Sequence, residues 1–395
     1  MKSARFDEIA AKVRAGERLS EDDGLALFVE PDLLSLGALA NEVREHRHGD
    51  RAYFNRNVRL EVTNVCVASC RFCSFAKLEE GHPDAVTMTV AQALENLRAK
   101  IDPAAPPTEV HVVNGLHAGL PFSYYEDLLS ALRAEWPTIH RKCFTAVEIV
   151  FFAQHYGMTV DAVFDRLIAA GLESLPGGGA EIFHPDVRAR IAPDKATADE
   201  WLDVHRRAHA RGMFTNATML YGHIETYAHR VDHLLRLRAL QDEAIAKNHP
   251  ARIQAFIPLA FHPDGNGMKQ LPGTTGIDDL RTLAVSRLML DNVDHLKAYW
   301  VSSTPKVAQI GLAFGADDVD GTIVSETIYG AAGKKAPEGL TVDDLTRLIR
   351  EAGRVPVERD TLYRVVQEHP RAAPEATVKL RDRRQGRHLQ VLDEV

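Results

Sequence analysis

The chain has 395 residues, with 47 Lys and Arg against 55 Asp and Glu and a formal net charge of −8 at pH 7. That acidic balance is spread along the sequence and argues against nonspecific binding to nucleic acid or to an anionic membrane. Hydrophobic residues make up 45% and charged residues 26%, which suits a soluble globular protein with a large core, and no apolar run reaches the length of a membrane span.

The opening "MKSARFDEIAAKVRAGERLS" alternates apolar and charged residues at helical spacing. It lacks the apolar stretch of a secretory signal, so a cytoplasmic location is expected. Residues 1–50 read as an N-terminal helical appendage. A strand-then-helix rhythm follows. Strands are predicted at 58–63 ("VRLEVT"), 109–114 ("EVHVVN"), 139–145 ("IHRKCFT"), 172–176 ("LESLP"), 213–220 ("MFTNATML"), 252–260 ("RIQAFIPLA"), 295–301 ("HLKAYWV") and 307–314 ("VAQIGLAF"). Each is short, apolar or β-branched, and bounded by turn residues.

Helical patterns separate them. "TVDAVFDRLIAAG" ends at a capping glycine, and Thr197 with Glu200 three residues on reads as a capping box. The link between the last two strands is short. Eight strands alternating with helices imply parallel pairing and right-handed crossovers. The expected fold class is α/β, a (β/α)8 TIM-type barrel over 51–335, with an open α/β sheet as the rival. Residues 336–395, with "TVDDLTRLIREAG", read as a helical C-terminal extension. Its basic run Arg381, Arg383, Arg384 and Arg387 reads as a solvated end.

A barrel gathers its chemistry at the C-terminal ends of its strands. The sequence places Thr63, Asn64 and a cysteine cluster after strand one. Asn114, Gly115 and His117 follow strand two, Glu148 follows strand three, and "GGGAEIF" with Glu181 follows strand four. Asn216 and Thr218 lie on strand five, which leads into Tyr221 and His223. His262 follows strand six, and "GADDVDG" follows strand eight.

Three of the four cysteines lie in "TNVCVASCRFCSF", as Cys66, Cys70 and Cys73. Such clustering makes a poor disulfide framework and points to a metal or to catalysis. Thiolates select zinc, copper(I) or iron–sulfur clusters. Structural zinc usually takes four ligands, so a zinc site would need a histidine in addition. A 4Fe–4S cluster normally takes four cysteines. Three leave one iron open to a substrate or cofactor. Cys143, inside an apolar strand, reads as a buried core thiol.

The C-x3-C-x2-C spacing after a first strand, with Phe72 before the last cysteine, resembles the radical S-adenosylmethionine (SAM) superfamily. The resemblance implies a 4Fe–4S cluster on Cys66, Cys70 and Cys73, with SAM on the open iron. One-electron reduction would then yield methionine and a 5′-deoxyadenosyl radical. A low-potential donor such as flavodoxin or ferredoxin is implied. A closer resemblance, over almost the whole chain, is to the aminofutalosine synthases of the futalosine route to menaquinone. It is carried by "TNVCVASCRFCSFAKLEEGHPDAVTM", "VHVVNGLHAGLPFSYYEDLLSAL", "FTAVEI", "GLESLPGGGAEIF", "NATMLYGHIET", "AFIPLAFHP" and "GRVPVERDTLY", among other segments. Two relatives, the dehypoxanthine futalosine cyclases and the deazaflavin-forming synthases, share the cysteine loop. They carry a "QGG-x-HP"-like segment where this chain has "VNGLHAG". Ala118 departs from the family, which often has Pro there.

The implied activity is that of a transferase. The adenosyl radical adds to the enol-ether carbon of 3-[(1-carboxyvinyl)oxy]benzoate, and rearrangement with decarboxylation gives 6-amino-6-deoxyfutalosine. By the same resemblance, Asn114–Gly115 meets the SAM amino group and Glu181 the ribose hydroxyls. Gly177 and Gly178 let adenine lie against the backbone, and Phe72, Glu148 and Arg188 belong to the same cofactor-binding set. His117, Tyr221, His223 and His262 are candidates for substrate contact or proton transfer. Two substrate carboxylates call for arginine, and Arg56, Arg188, Arg190, Arg281 and Arg287 stay open for that role. Asp317, Asp318 and Asp320 read as a loop or cap cluster, with divalent metal binding open. Tyr299 and Trp300 read as pocket lining or core. A zinc-binding or redox-sensing protein is the alternative from another class.

Overall fold

Eight parallel strand positions close a ring in the computed structural model, which describes residues 3–331 and 339–371. The first position is almost continuous, β1 (Arg51–Asn55) running into β2 (Asn57–Leu60). β2 pairs with β3 (Glu109–Val112), and β3 with β4 (His140–Cys143). Bridges from Lys142 to Ser174 and from Leu175 to Thr215 make the fourth position. β5 (Thr215–Tyr221), β6 (Ile253–Ala260) and β7 (His295–Leu296) follow in parallel register. A Lys297–Asp318 bridge reaches β8 (Asp318–Gly321). β8 pairs with β1, and a Val58–Val324 bridge seals the ring against β2. The barrel, not the open sheet, is the architecture.

The helices that wrap it start where the sequence supplies caps. Thr197 and Glu200 form the expected capping box, with Thr197 N–H donating to Glu200 Oε2 at 2.7 Å. Three helices, Ala4–Arg14, Glu21–Val29 and Leu33–His48, precede the first strand. They lie on the barrel's outer helices, where Gly37 approaches the Phe314 ring too closely to carry a Cβ. No helix among the described residues is long and apolar enough to cross a membrane.

Three expectations need correction. The segment 307–314 is not a strand: the helix Pro305–Gly311 occupies it. Pro305 suits the first helical position, and Thr304 Oγ1 caps it by accepting from Val307 N–H at 3.2 Å. The eighth strand is "DVDG". Its aspartates look like turn residues, but each is neutralised inside. Asp317 is paired with Arg287, Asp318 with Arg359, and Asp320 with Lys297. Asp318 and Asp320 thus belong to a strand, with Asp317 just before it, and not to the expected loop or cap cluster. The predicted strand 295–301 stops at Leu296, and a short helix begins at Trp300.

The C-terminal extension is only partly helical. After the helix Val342–Glu351 come β9 (Val355–Arg359) and β10 (Val365–Glu368), an antiparallel hairpin. β9 pairs parallel with β1. The turn beyond β9 plugs the N-terminal end of the barrel. Gln254 Nε2 donates to Thr361 O at 3.0 Å, and the Tyr363 ring stacks on His295 with centroids 3.5 Å apart. Among the described residues, only the opposite end is left open. The basic run from Arg381 to Arg387 and the 335/336 boundary lie outside the described residues.

Candidate active site

At the open end lies a cavity of ≈ 290 Å³ whose lining includes Cys66, Cys70 and Cys73. All three thiols are free. The loop that carries them is tied to its neighbours by main-chain bonds. Cys66 N–H donates to Lys77 O at 2.9 Å and Val67 N–H to Leu116 O at 3.0 Å. Asn64 pins the return of the loop: its Nδ2 donates to Asp84 O at 2.8 Å, and its Oδ1 accepts from Val86 N–H at 2.7 Å. Gly115 N–H reaches Thr63 O at 2.9 Å, and a Cβ on Gly115 would sit 2.2 Å from Val65 O. Only glycine allows that approach. Ala76 N–H points at Cys73 Sγ at 3.4 Å, a bond of the kind that tunes cluster thiolates.

The facing wall is the "PGGGAEI" segment. A Cβ on Gly177 would lie 2.7 Å from the Ala217 carbonyl carbon, and Thr218 Oγ1 donates to Gly177 O at 2.6 Å. Gly177 is thus pressed against β5, while Gly178 and Gly179 face Thr145 and Val147. Glu181 adopts φ 47° and accepts from Lys195 Nζ at 2.8 Å. The Lys195 ammonium also lies 5.1 Å from the centre of the Phe72 ring. Burial pushes the Cys70 thiol up to about 11, with Lys195 opposing. Burial in turn disfavours the Lys195 charge, but Cys70 and Glu181 outweigh it and hold its pKa above the ordinary range. Three free thiols on one loop, beside a cation that favours thiolate, fit an iron–sulfur cluster.

Of the residues expected at the site, Phe72, Asn114, Gly115, Gly177, Gly178, Glu181 and His262 line the cavity. His262 Nε2 lies 2.8 Å from Ser302 O. Others stand behind the wall. Both Glu148 oxygens are engaged, Oε2 by Thr145 and Oε1 by the backbone and side chain of Asn114. Arg188 directs its guanidinium to the carbonyls of Gly179, Ala180 and Ala196, tying the glycine wall to the Lys195 loop. His117 accepts from Gly119 N–H at 3.0 Å. Tyr221 donates to Asp279 at 2.7 Å in a buried network with Arg230. His223 is folded onto its own turn, with Nε2 3.0 Å from Leu220 O and Nδ1 3.1 Å from Glu225. None of Glu148, Arg188, His117, Tyr221 and His223 lines the cavity. Trp300 is core, its Nε1 donating to Gly321 O at 2.9 Å, whereas Tyr299 does line the cavity.

The remaining arginines kept open for carboxylates are elsewhere. Arg56 pairs with Glu358 at 2.7 Å, Arg281 reaches the Leu27 carbonyl at 3.5 Å, and Arg190 is exposed. Sequence reasoning missed the residues that form the cavity floor. Arg59 on β2, Glu109 and His111 on β3, Lys142 on β4, Lys297 beyond β7 and Asp320 on β8 all point inward. Lys142 bonds Glu109 at 2.6 Å, and burial pushes it down to about 8. Lys297 meets Asp320 at 3.2 Å. Burial and then the neighbouring Arg59 charge hold the His111 pKa well below its usual range. The available signal was a charged side chain within several strands, Arg59, Glu109 and Lys142 among them, which a closed barrel turns to its axis.

Known proteins resemble the chain along its length. The Radical SAM superfamily model matches residues 60–237, and the model described as CofH/MqnC C-terminal region matches 251–372. An aminodeoxyfutalosine synthase of Thermus thermophilus is 46% identical over 93% of this chain and 97% of its own length. One of Streptomyces coelicolor is 46% identical over 92% and 94%. A 5-amino-6-(D-ribitylamino)uracil–L-tyrosine 4-hydroxyphenyl transferase of Methanothermobacter thermautotrophicus is 36% identical over 89% and 95%.

Among solved structures, the FeFe-hydrogenase maturase HydG of Carboxydothermus hydrogenoformans superposes with a TM-score of 0.68, covering 91% of this chain and 80% of that one at 17% identity. Methylornithine synthase (PylB) superposes at 0.65, covering 88% and 97%, also at 17% identity. At such identity these two speak for the fold alone. With three thiols on the loop after the first barrel strand and this degree of identity end to end, the chain belongs to the aminodeoxyfutalosine synthase family of radical SAM enzymes.

Proposed function

We propose that this enzyme joins the 5′-deoxyadenosyl group of SAM to 3-[(1-carboxyvinyl)oxy]benzoate. Loss of the vinyl carboxyl carbon as carbon dioxide or bicarbonate would give 6-amino-6-deoxyfutalosine for menaquinone biosynthesis. The observation that carries the reading is 46% identity over nearly the whole of two aminodeoxyfutalosine synthases. Cys66, Cys70 and Cys73 would hold a 4Fe–4S cluster, leaving one iron for SAM. When bound, that cluster supplies the electron that cleaves SAM, from a donor such as flavodoxin or ferredoxin.

The chain's own residues bind, orient and exclude water. Asn114–Gly115 offers backbone at the end of β3, and Glu181, steadied by Lys195, offers a carboxylate for a ribose. The glycine wall gives a base a surface to lie on, and His262, which lines the cavity, is a histidine within reach of a bound substrate. Among the described residues the barrel's other end is plugged, which limits solvent access and protects a reactive carbon radical.

The relatives at 36% identity bear another name, but "VNGLHAG" and "FTAVEI" favour the synthase reading. A cyclase acting on a bound nucleoside would not join adenosine to the benzoate. Anaerobic reconstituted enzyme, reduced and given SAM and the enol ether, should yield an adduct that keeps the adenosyl carbon. If only free 5′-deoxyadenosine accumulates, this assignment is wrong. Colourless protein with stoichiometric zinc and no iron would point to the zinc-binding alternative.

A further inference from the structure

We propose that Arg59 is the receptor for the arene carboxylate of the substrate, its guanidinium presented by Tyr299 at the cavity floor. This rests on the reading above, in which the substrate is an aryl enol ether with two carboxylates. The other cations that line the cavity are already matched. Lys142 is held by Glu109 at 2.6 Å, Lys297 by Asp320 at 3.2 Å, and Lys195 by Glu181 at 2.8 Å. Arg59 differs. Its side chain is only 7% exposed, yet its Nε makes no hydrogen bond.

The nearest carboxylates stand off. Glu326 is 3.8 Å from Nε, and Asp320 is 3.9 Å from one terminal nitrogen. A charge-assisted N–H···O bond is about 2.7–2.9 Å long, so neither is bonded to Arg59. The other terminal nitrogen is turned to His111 Nδ1, which accepts as a neutral imidazole. Tyr299 OH sits 3.4 Å from the guanidinium and donates to Glu326 at 3.1 Å. What remains is the edge made by Nε–H and one terminal N–H. Two parallel donors on a planar fork are what a carboxylate takes side-on.

Depth decides which carboxylate. Arg59 lies within β2, seven residues before Cys66, and so sits below the loop that carries the thiols. The vinyl carboxylate is attached at the reacting double bond and must stay near that loop. The arene carboxylate lies across the ring and reaches down. The wall also includes Val113, Leu220 and Ile257, apolar side chains that suit the ring.

The test is a cycle of two ligands and two proteins. The ligands are 3-[(1-carboxyvinyl)oxy]benzoate and the same phenyl ether without the arene carboxylate. The proteins are wild type and Arg59→Gln. Each is assayed for kcat/KM and, without turnover, by equilibrium dialysis of the cluster-free protein. Removing the carboxylate should cost the wild type about 100-fold, the scale of a buried charge-assisted pair. Arg59→Gln should lose as much on the full substrate and show less than about a threefold preference between ligands.

Arg59→Lys should restore part of the preference. If Arg59→Gln fails to fold by circular dichroism, Tyr299→Phe replaces it and should reduce the preference by about three- to tenfold. An undiminished 100-fold preference in either variant overturns the assignment. A wild type that makes adduct but shows no coupling to Arg59 refutes this inference alone. A wild type that makes no adduct removes the parent reading and this one with it.

Discussion

The carboxylate of Glu148 holds Asn114 at two points, its Oε1 accepting from both the backbone N–H and the side-chain amide at 3.2 Å. Its other oxygen caps the helix Ala146–His155 through Thr145. Asn114 in turn accepts from Val62 N–H at 2.8 Å. One buried side chain thus sets the relative heights of three strand ends at the cavity's rim, without lining the cavity itself.

Glu148→Gln should therefore act at a distance. The four N–H and O–H groups that converge on this carboxylate would meet one carbonyl and one amide, leaving a buried donor unmatched at about 1–3 kcal/mol. The expected result is a lower melting temperature and weaker SAM binding, with the iron content of the reconstituted protein unchanged. Calorimetry and SAM titration check this. An unaltered SAM affinity would show that Asn114 is positioned by something else.

The same group gives a pH dependence. Burial pushes the Glu148 pKa from 4.5 to about 7, despite the N–H donors that favour the anion. A raised folded-state pKa means that between about 4.5 and 7 the native state keeps a proton that the unfolded chain has released. The stabilisation from this site is complete below about 4.5 and is lost as pH rises to about 7. Denaturant unfolding of wild type and Glu148→Gln across that range should show a fall of up to about 3 kcal/mol in the wild type only.

Lys195 should govern the reactivity of Cys70. Burial raises this thiol and Lys195 is the first group opposing that rise. Lys195→Met in cluster-free protein should raise it further. Alkylation near pH 9 should then slow by about tenfold for every tenfold drop in thiolate population, whereas Lys195→Arg should stay close to wild type. Mass spectrometry of iodoacetamide labelling at Cys70 measures this. Equal labelling rates in wild type and Lys195→Met would refute it.

Cys143 provides the contrast among the thiols. It is fully buried, and its pKa is pushed well above the ordinary value by burial. Cys143→Ala should retain iron and SAM cleavage and cost about 1 kcal/mol of stability for the lost packing. Alanine at Cys66, Cys70 or Cys73 should abolish SAM cleavage. Loss of cleavage in Cys143→Ala at full iron content would give that thiol a role that its place in β4 does not suggest.

The barrel and its rim were legible because both rest on local signals. Parallel strands separated by capped helices announce themselves by period and by residues such as Thr197. The cysteine spacing, Asn114–Gly115 and the glycines before Glu181 follow directly from strand ends. What was not legible depends on closure. "DVDG" becomes a strand only because Arg287, Arg359 and Lys297, all distant in sequence, neutralise it. Tyr221 and His223 sit at a strand end as expected, but Asp279 and Glu225 draw them out of the cavity. Arg59 and His111 are polar positions within strands, and only the ring turns them toward a common axis.

The plug at the barrel's closed end gives the last prediction. Arg359 Nε meets Asp318 Oδ2 at 2.6 Å with both side chains fully buried, and the guanidinium lies 4.1 Å from the centre of the Tyr363 ring. Arg359→Met would leave Asp318 charged and unpaired, at a cost of about 3–5 kcal/mol. Replacing both partners, as Arg359→Met with Asp318→Asn, should recover most of that loss, because the penalty comes from the stranded charge. The effect should also reach the site. Asp318 Oδ1 accepts from Asp320 N–H at 2.5 Å, and Asp320 is the partner of Lys297 in the cavity floor. The single variant is therefore expected to raise KM for the enol ether more than KM for SAM, which the proposed function puts at the cysteine end of the cavity. Chemical denaturation and the two KM values measure the separate claims. A stable single variant would mean that water reaches Asp318, and equal changes in both KM values would uncouple the plug from the floor.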